Sequence, residues 1–232
     1  MAKQPRFYFS LRSPYSWMAY RDLLSSYPDV AAAVQWVPFF EPDELSTRML
    51  ALWGEEFPYS AMSKAKHLYI LQDVGRLTKE RGLPLTWPVD RDPVWEVPHL
   101  GYLVARAAGV GPEYIAAVYR ARWELGLNIC DRAVIADIAS SLGLDPVQVS
   151  SASDSRVLRE EGVEILLEIC KDGVFGVPFF VHRFSRFWGM DRVADFVAHL
   201  RAKLEPAGAM PASVSSVGVG RSSEESHAGG CG

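Results

Sequence analysis

The chain has 232 residues, of which 49% are hydrophobic and 22% charged, so it carries enough apolar side chains for one sizeable globular core. A net charge of −4 without any basic run excludes nucleic acid or an anionic membrane surface as an expected partner. No apolar stretch approaches the roughly 20 residues that span a bilayer, and residues 1–10 lack the layout of a signal peptide, so we expect a cytoplasmic protein.

The pattern of apolar residues predicts a β-α-β unit at the start of the chain. A strand is predicted over residues 6–10, a helix over 14–26 and a second strand over 33–40. Strand patterns then disappear, and helical patterns separated by Gly and Pro follow. These predicted helices are 60–81, 94–108, 112–125, 131–142 and 154–171.

Strand patterns return near the end of the chain. Residues 177–182 and 185–188 predict a hairpin, and 191–204 predict a last helix. The element order β-α-β, helical block, β-β-α indicates the α/β class. It is typical of a thioredoxin-like domain with a large all-helical insertion.

This order also predicts the domain organisation. Residues 6–40 and 172–204 are expected to form the thioredoxin-like domain, and 41–171 the helical insertion. Residues 206–232 are mostly small and polar, so burial cannot offset the entropy of ordering them. We expect them to form a flexible tail.

The cysteines predict neither a disulfide framework nor a metal site. Cys130, Cys170 and Cys231 are widely separated, and the sequence contains no CxxC pair. We expect the first two to behave as small buried hydrophobic residues and the third to lie in the tail. The five histidines show no metal-ligand spacing either, so no metal is expected.

The segment SPYS, residues 13–16, lies where the first predicted strand meets the first helix. Ser13 precedes Pro14, a residue suited to the first helical position, so Ser13 is predicted to be the N-cap. A helix N-terminus also favours an anion such as a thiolate. Since Ser13 and Ser16 stand at the spacing of a redox dithiol but cannot form a disulfide, any reactive sulfur must come from a ligand.

Two later motifs have both a structural and a functional interpretation. Pro178 in DGVFGVPFF is an ordinary turn proline, or it begins a strand beside which a peptide-like ligand binds by strand addition. Asp191 in FWGMDR is a helix cap, or it binds a ligand ammonium group. Each motif alone favours the structural interpretation.

Taken together, the motifs resemble the 2-hydroxychromene-2-carboxylate isomerases and the related kappa-class glutathione transferases, in the DsbA-like branch of the thioredoxin superfamily. The resemblance extends over residues 6–204. It is carried, in order along the chain, by FYFxxxSPYSW, YILQDVGRLTKERGLPLTWP (69–88), GVFGVPFF and FWGMDR.

The resemblance implies roles for individual residues in binding glutathione. Ser13 is expected to hydrogen-bond the sulfur, and Lys66 to contact the tripeptide. The backbone of Val177, beside a cis-proline at Pro178, is expected to pair with the cysteinyl part. Asp191 is expected to receive the γ-glutamyl amine.

Two positions depart from the pattern of the family. Glu55 stands where relatives carry Asn, and Met190 where they carry Asn or Ser. Each change removes a neutral hydrogen-bonding partner, at a cost of about 1 kcal/mol in ligand affinity. Glutathione, another thiol or no thiol therefore stay open as the cofactor.

The substrate side is predicted from aromatic and charged residues. Tyr15, Arg91 and Trp95 are expected to contact a flat conjugated substrate. Trp17 and Trp53 also lie near the motifs in the chain, but they are more typical of a core.

The resemblance implies an isomerase for a conjugated unsaturated carbonyl or polyene-type substrate. A thiolate of bound glutathione adds to the substrate, a former double bond rotates, and the thiolate leaves. The alternatives are an E/Z isomerase independent of glutathione, a kappa-class-like transferase that consumes thiol, and a non-catalytic thioredoxin-like binding module. Members of the family are commonly dimers, so a homodimer is expected.

Overall fold

A computed structural model of the protein describes residues 4–58 and 62–204. The predicted tail, 206–232 with Cys231, lies outside these residues. The strands are β1 (Arg6–Phe9), β2 (Gln35–Pro38), β3 (Phe179–His182) and β4 (Ser185–Trp188). The α-helices are α1 (Pro14–Ser26), α2 (Pro28–Ala33), α3 (Glu44–Ala51), α4 (Lys64–Glu80), α5 (Glu96–Ala107), α6 (Gly111–Tyr119), α7 (Arg132–Ser141), α8 (Pro146–Ser150), α9 (Arg156–Asp172) and α10 (Val193–Leu204).

The four strands form one mixed sheet in the order β2-β1-β3-β4. β1 pairs in parallel with β2 and antiparallel with β3, and β4 pairs antiparallel with β3. The parallel pair is connected by α1 and α2, which gives the predicted β-α-β unit. Helices α3 to α9 fill the chain between β2 and β3, as the element order predicted.

The central strand β1 is buried along its whole length because it has a neighbour on each side and helices over its faces. Phe7 stacks on Phe180 of β3 with ring centroids 4.7 Å apart, and it meets the edge of Trp36 of β2 at 4.9 Å. This aromatic packing joins three strands into one core. No helix within the described residues is long and apolar enough to cross a membrane.

Three short helices, α2, α3 and α8, are not among the predicted helices. Pro28 begins α2, so the strand predicted over 33–40 was wrong at its start, where Ala33 still ends a helix. α3 begins after Asp43, whose side chain accepts a hydrogen bond from the Ser46 N–H at 2.8 Å. Helices of six and eight residues carry too few turns for a clear apolar period.

Other element boundaries differ by a few residues. The strand predicted over 177–182 begins at Phe179. The last predicted helix begins as a 3-10 turn, Met190–Arg192, before α10. The helix predicted over 112–125 ends in a π-helical segment, Arg120–Glu124. The first residues of the helix predicted over 60–81 lie partly outside the described residues, and α4 begins only after Ser63.

The predicted core residues have mixed outcomes. Trp17 is buried at 1% exposure, as expected, but the prediction for Trp53 was wrong, because its side chain is 71% exposed in the turn after α3. Cys130 and Cys170 are half-buried rather than fully buried.

Candidate active site

Ser13 caps the N-terminus of α1. Its backbone is extended, and its Oγ accepts a hydrogen bond from the Ser16 N–H at 3.2 Å, as the sequence predicted. The side chain is half-buried. Because the helix cap uses an acceptor position of the hydroxyl, its O–H is available to donate to a ligand.

Ser16 has a structural role one turn into α1. Its side chain is fully buried, and its Oγ accepts a hydrogen bond from the Ser10 N–H at 3.2 Å. The Ser13 N–H in turn donates to the Ser10 carbonyl at 3.1 Å. The two serines of SPYS therefore connect the end of β1 with the first turn of α1.

The Val177–Pro178 peptide bond is cis and directly precedes β3. It lies at the end of the sheet where β1 leads into residues 10–13, called the Ser13 loop below. The antiparallel register of β1 and β3 ends with Tyr8 opposite Phe179, so Ser10 and Val177 both lie just beyond the end of the paired strands. Ser10 turns its own N–H and C=O toward other groups, as described above. Within the described chain, no backbone group hydrogen-bonds Val177, which leaves its N–H and C=O available for an extended ligand.

Asp191 lies in the 3-10 turn Met190–Arg192, which packs against α1. Its carboxylate is 69% exposed, 3.5 Å from the Arg192 guanidinium. Gly189 precedes this turn with φ 113° and ψ 154°, and its N–H donates to the Pro178 carbonyl at 3.0 Å. A Cβ at position 189 would collide with Asp191 Oδ1. Only glycine therefore leaves space for the Asp191 carboxylate where it lies.

Tyr15 connects the first turn of α1 to α4. Its hydroxyl donates to Asp73 Oδ2 at 2.8 Å, and burial together with this bond raises the pKa of Tyr15, so the phenol stays protonated. Lys66 is seven positions before Asp73, about two helical turns, and therefore shares its face of α4. The Lys66 side chain is exposed.

Trp95 lies near Arg12 of the Ser13 loop and is buried at 4% exposure. The guanidinium carbons of Arg12 and Arg122 lie 5.0 and 5.1 Å from its ring centroid. Arg122 is itself buried and binds both oxygens of Asp90 at 2.8 and 2.9 Å. Trp95, expected to contact substrate, thus lies beneath two arginines in the wall of this region.

Arg91 is exposed next to this cluster in the chain. It forms no ion pair with any residue in the described part of the chain. Its guanidinium is therefore available to a substrate anion, whereas that of Arg122 is occupied by Asp90.

Glu55 lies in the exposed loop that follows α3. Burial, and then the charge of Glu55, raise the pKa of the Cys170 thiol near the end of α9. That thiol donates to the Glu56 carbonyl at 3.5 Å, and Phe57 packs on Phe39 with centroids 5.0 Å apart. These contacts anchor the loop beside the last turn of α9, which leads into the segment before Pro178.

The structure thus brings part of the predicted site together. Four predicted residues meet at the same end of the sheet: Ser13, Val177, Pro178 and Asp191. Tyr15 and Lys66 lie along the neighbouring helices, Arg91 and Trp95 lie on the side of the helical segment, and Glu55 lies on a separate loop.

Sequence reasoning missed three side chains of the helical segment that hydrogen-bond the backbone of the Ser13 loop. His99, Tyr119 and Arg122 hydrogen-bond backbone groups that precede them by 88, 109 and 110 positions. No local pattern marks such pairs, because only the folded chain brings them together. In the sequence, His99 stands among apolar residues in VPHLGYLV, but nothing there indicates its hydrogen-bonding partner.

Comparisons with known proteins agree with this architecture. The family model of the DsbA-like thioredoxin domain matches residues 6–201. A 2-hydroxychromene-2-carboxylate isomerase from Sphingobium xenophagum is 26% identical over 198 residues, which cover 85% of this chain and 97% of the relative.

Solved structures share the fold. A 2-hydroxychromene-2-carboxylate isomerase has a TM-score of 0.65 at 22% identity, covering 86% of this chain and 95% of its own. The cytosolic disulfide reductase DsbM from Pseudomonas aeruginosa, solved with GSH, has a TM-score of 0.60 at 18% identity, covering 87% and 99%.

These findings confirm the predicted thioredoxin-like fold and the predicted resemblance to the 2-hydroxychromene-2-carboxylate isomerases. The match of the family model spans most of the sequence, from β1 to α10. The chain belongs to the family of DsbA-like thioredoxin domains.

Proposed function

We propose that the protein is an isomerase that changes the geometry of a double bond in a conjugated unsaturated carbonyl compound, with glutathione as its thiol cofactor. The observation that carries this proposal is the hydroxyl of Ser13. Its acceptor side is used by the Ser16 N–H, and its O–H is free to donate at the N-terminus of a 13-residue helix. Such a position stabilises a thiolate that the chain does not itself provide there.

The residues around Ser13 fit the charges of a γ-glutamyl tripeptide. The backbone of Val177, which has no hydrogen bond to the backbone of residues 4–58 and 62–204, suits the cysteinyl part. The exposed carboxylate of Asp191 suits an ammonium group. Lys66 suits a carboxylate. Bound glutathione would supply a thiolate that adds reversibly to a conjugated carbon, which gives a double bond single-bond character. A related structure of this fold was solved with GSH.

The substrate class follows from the relative and from the arginines. The substrate named for the relative is a carboxylate. Arg91 is exposed beside Asp90 and is the guanidinium that would hold such a group, while the Asp90–Arg122 pair fixes the loop that carries it. Trp87, 38% exposed and packed edge-on against Trp123, offers an aromatic surface for a planar ring.

The test uses 2-hydroxychromene-2-carboxylate as the probe substrate. We expect its conversion, followed by ultraviolet absorbance, to require both the protein and glutathione. Ser13→Ala should lower kcat by about tenfold to a hundredfold, because a hydrogen bond to a charged group contributes about 1.5–3 kcal/mol. Undiminished activity of this variant would contradict the proposal.

Ser155→Ala is the matched control. Ser155 is also a half-buried N-cap serine, and its Oγ accepts from the Leu158 N–H at 3.4 Å. It caps α9 instead of α1, so it should lose a similar amount of stability and keep full activity.

A second candidate is a non-catalytic binding module, which is also favoured by the backbone of Val177, unbonded within the part of the chain that the structure describes. An extended peptide would then add to the sheet at this position. In that case Ser13→Ala would leave peptide affinity unchanged. A transferase would instead consume thiol in proportion to product, so counting free thiol after turnover separates it from an isomerase.

We also propose a cytoplasmic homodimer. Helices α3 and α9 pack against each other. Three apolar side chains in α9 or directly after α3 are strongly exposed: Leu52 at 87%, Trp53 at 71% and Val157 at 72%. Sedimentation velocity should give twice the chain mass of 25.8 kDa. A sedimenting species of one chain at micromolar concentration would contradict the dimer.

A further inference from the structure

The loop that carries Ser13 is held by side chains from the helical segment 41–171. The three consecutive residues Ser10, Leu11 and Arg12 each have one backbone group hydrogen-bonded to a side chain of that segment. The bonds are Tyr119 Oη to the Ser10 carbonyl at 3.1 Å, the Leu11 N–H to His99 Nε2 at 3.1 Å, and Arg122 Nε to the Arg12 carbonyl at 3.3 Å.

The three side chains are well fixed. Tyr119, His99 and Arg122 are 1%, 0% and 3% exposed. His99 Nδ1 lies 2.7 Å from the Trp95 carbonyl, so its proton resides on Nδ1 and its Nε2 accepts. We call these three side chains the loop clamp.

One of these bonds leads directly to the Ser13 hydroxyl. Tyr119 binds the carbonyl of Ser10, and the N–H of the same residue binds Ser16 Oγ at 3.2 Å. The N–H of Ser16 then binds Ser13 Oγ at 3.2 Å. Four residues therefore form one continuous relay from the interior of the helical segment to the cap of α1.

We propose that Tyr119 is a positioning residue that acts through this relay to hold the Ser13 side chain and the first N–H groups of α1 in the arrangement that stabilises a thiolate. Removing its hydroxyl leaves the Ser10 carbonyl without this partner, and Ser10 and Ser16 can then shift together. The helix terminus would bind a thiolate less well, although Tyr119 itself touches no ligand. Any effect of this positioning on the rate of isomerisation rests on the proposed function, whereas the effect on a thiolate at the helix terminus does not.

The experiment places a reporter thiol at the cap. In a Ser13→Cys background, the rate of carboxymethylation at position 13 is measured against pH by peptide mass spectrometry, which separates this thiol from the native ones. The reporter should titrate below the ordinary cysteine value, because it lies at a helix N-terminus. Adding Tyr119→Phe should raise its pKa and lower the rate at pH 6 by about threefold to tenfold.

Tyr114→Phe is the matched control. Tyr114 is also fully buried, and its hydroxyl also donates to a backbone carbonyl, that of Pro98, at 3.0 Å. Both substitutions should lower the melting temperature by similar amounts. Only Tyr119→Phe should change the titration of the reporter, so a purely structural role is distinguished from positioning.

The outcomes separate this inference from the proposed function. An unchanged titration in folded Tyr119→Phe protein overturns the inference even if isomerase activity is found. A shifted titration supports it even if no isomerase activity is found. Should Tyr119→Phe fail to fold, Ser16→Ala interrupts the same relay at Oγ, and an unchanged reporter in that variant overturns the inference equally.

Discussion

Ser13 combines two tasks in one hydroxyl, since its oxygen caps α1 while its proton remains available to a ligand. The two tasks respond differently to substitution. A helix cap tolerates glycine, which costs only a few tenths of a kcal/mol, whereas alanine costs about 1 kcal/mol. Neither residue can donate a hydrogen bond to a sulfur.

Ser13→Gly and Ser13→Ala therefore form an informative pair. We expect Ser13→Gly to unfold within about 0.5 kcal/mol of the native protein and Ser13→Ala to be less stable. Both should lose isomerase activity to the same extent. Urea unfolding and initial rates measure the two effects separately. If Ser13→Gly kept its activity, Ser13 would be a helix cap alone.

His99 also acts at the scale of a single residue. Burial lowers its pKa from the ordinary value of 6.5 to about 3, because a charged imidazole would lose its hydration there. The unfolded chain takes up a proton below pH 6.5 that the folded chain does not. Stability from this residue is therefore complete above pH 6.5 and is lost as the pH falls toward 3.

This difference is measurable by urea unfolding at pH 7 and pH 5. The contribution of His99 should fall by about 2 kcal/mol over this range. His99→Phe should remove that part of the pH dependence, although it lowers stability overall by breaking the bond to Leu11. His67→Gln, which changes an exposed histidine, should retain it. Parallel pH profiles for native protein and His99→Phe would show that the imidazole is accessible to protons.

At the scale of elements, the 3-10 turn Met190–Arg192 determines where Asp191 is presented. Gly189 enters this turn with φ 113° and ψ 154°, a region that is almost restricted to glycine. The turn packs on α1, so a change at Gly189 moves the carboxylate relative to the helix that Ser13 caps.

Gly189→Ala tests this arrangement. We expect it to destabilise the fold and to weaken glutathione binding, because its Cβ displaces Asp191. Gly143→Ala, at φ 71° in open space, should also be destabilising but should bind glutathione normally. Isothermal titration with glutathione measures both. Equal affinities in the two variants would remove Asp191 from the binding site.

The sequence predicted the elements whose signals are local. The helix over 14–26 was predicted at its observed boundaries, because Ser13 and Pro14 mark its start, and the strand over 185–188 likewise. α2, α3 and α8 were missed because they are short, and the prediction for Trp53 was wrong because apolar character alone does not indicate burial. The loop clamp was inaccessible because it consists of contacts between distant residues.

At the scale of the whole molecule, ligand binding and folding are linked. Glutathione at about 100 times its dissociation constant should add roughly 2.7 kcal/mol to the free energy of unfolding, which raises the melting temperature by about 5 to 10 °C for a chain of this size. Asp191→Ala should abolish this shift. Asp195→Ala, which removes another carboxylate paired with Arg192, should preserve it. No shift in the native protein would favour a different thiol or a reaction without one.

The burial of β1 has a consequence for synthesis in the cell. Tyr8 donates to Asp172, 164 positions later, and Arg6 is held between Glu168 and the same aspartate. At roughly 5–20 residues per second, the ribosome needs on the order of ten seconds or more to supply these partners. During that interval the nascent RFYF segment has no sheet neighbour on its β3 side. Its aromatic side chains therefore stay without one of the surfaces that bury them until most of the chain has been made.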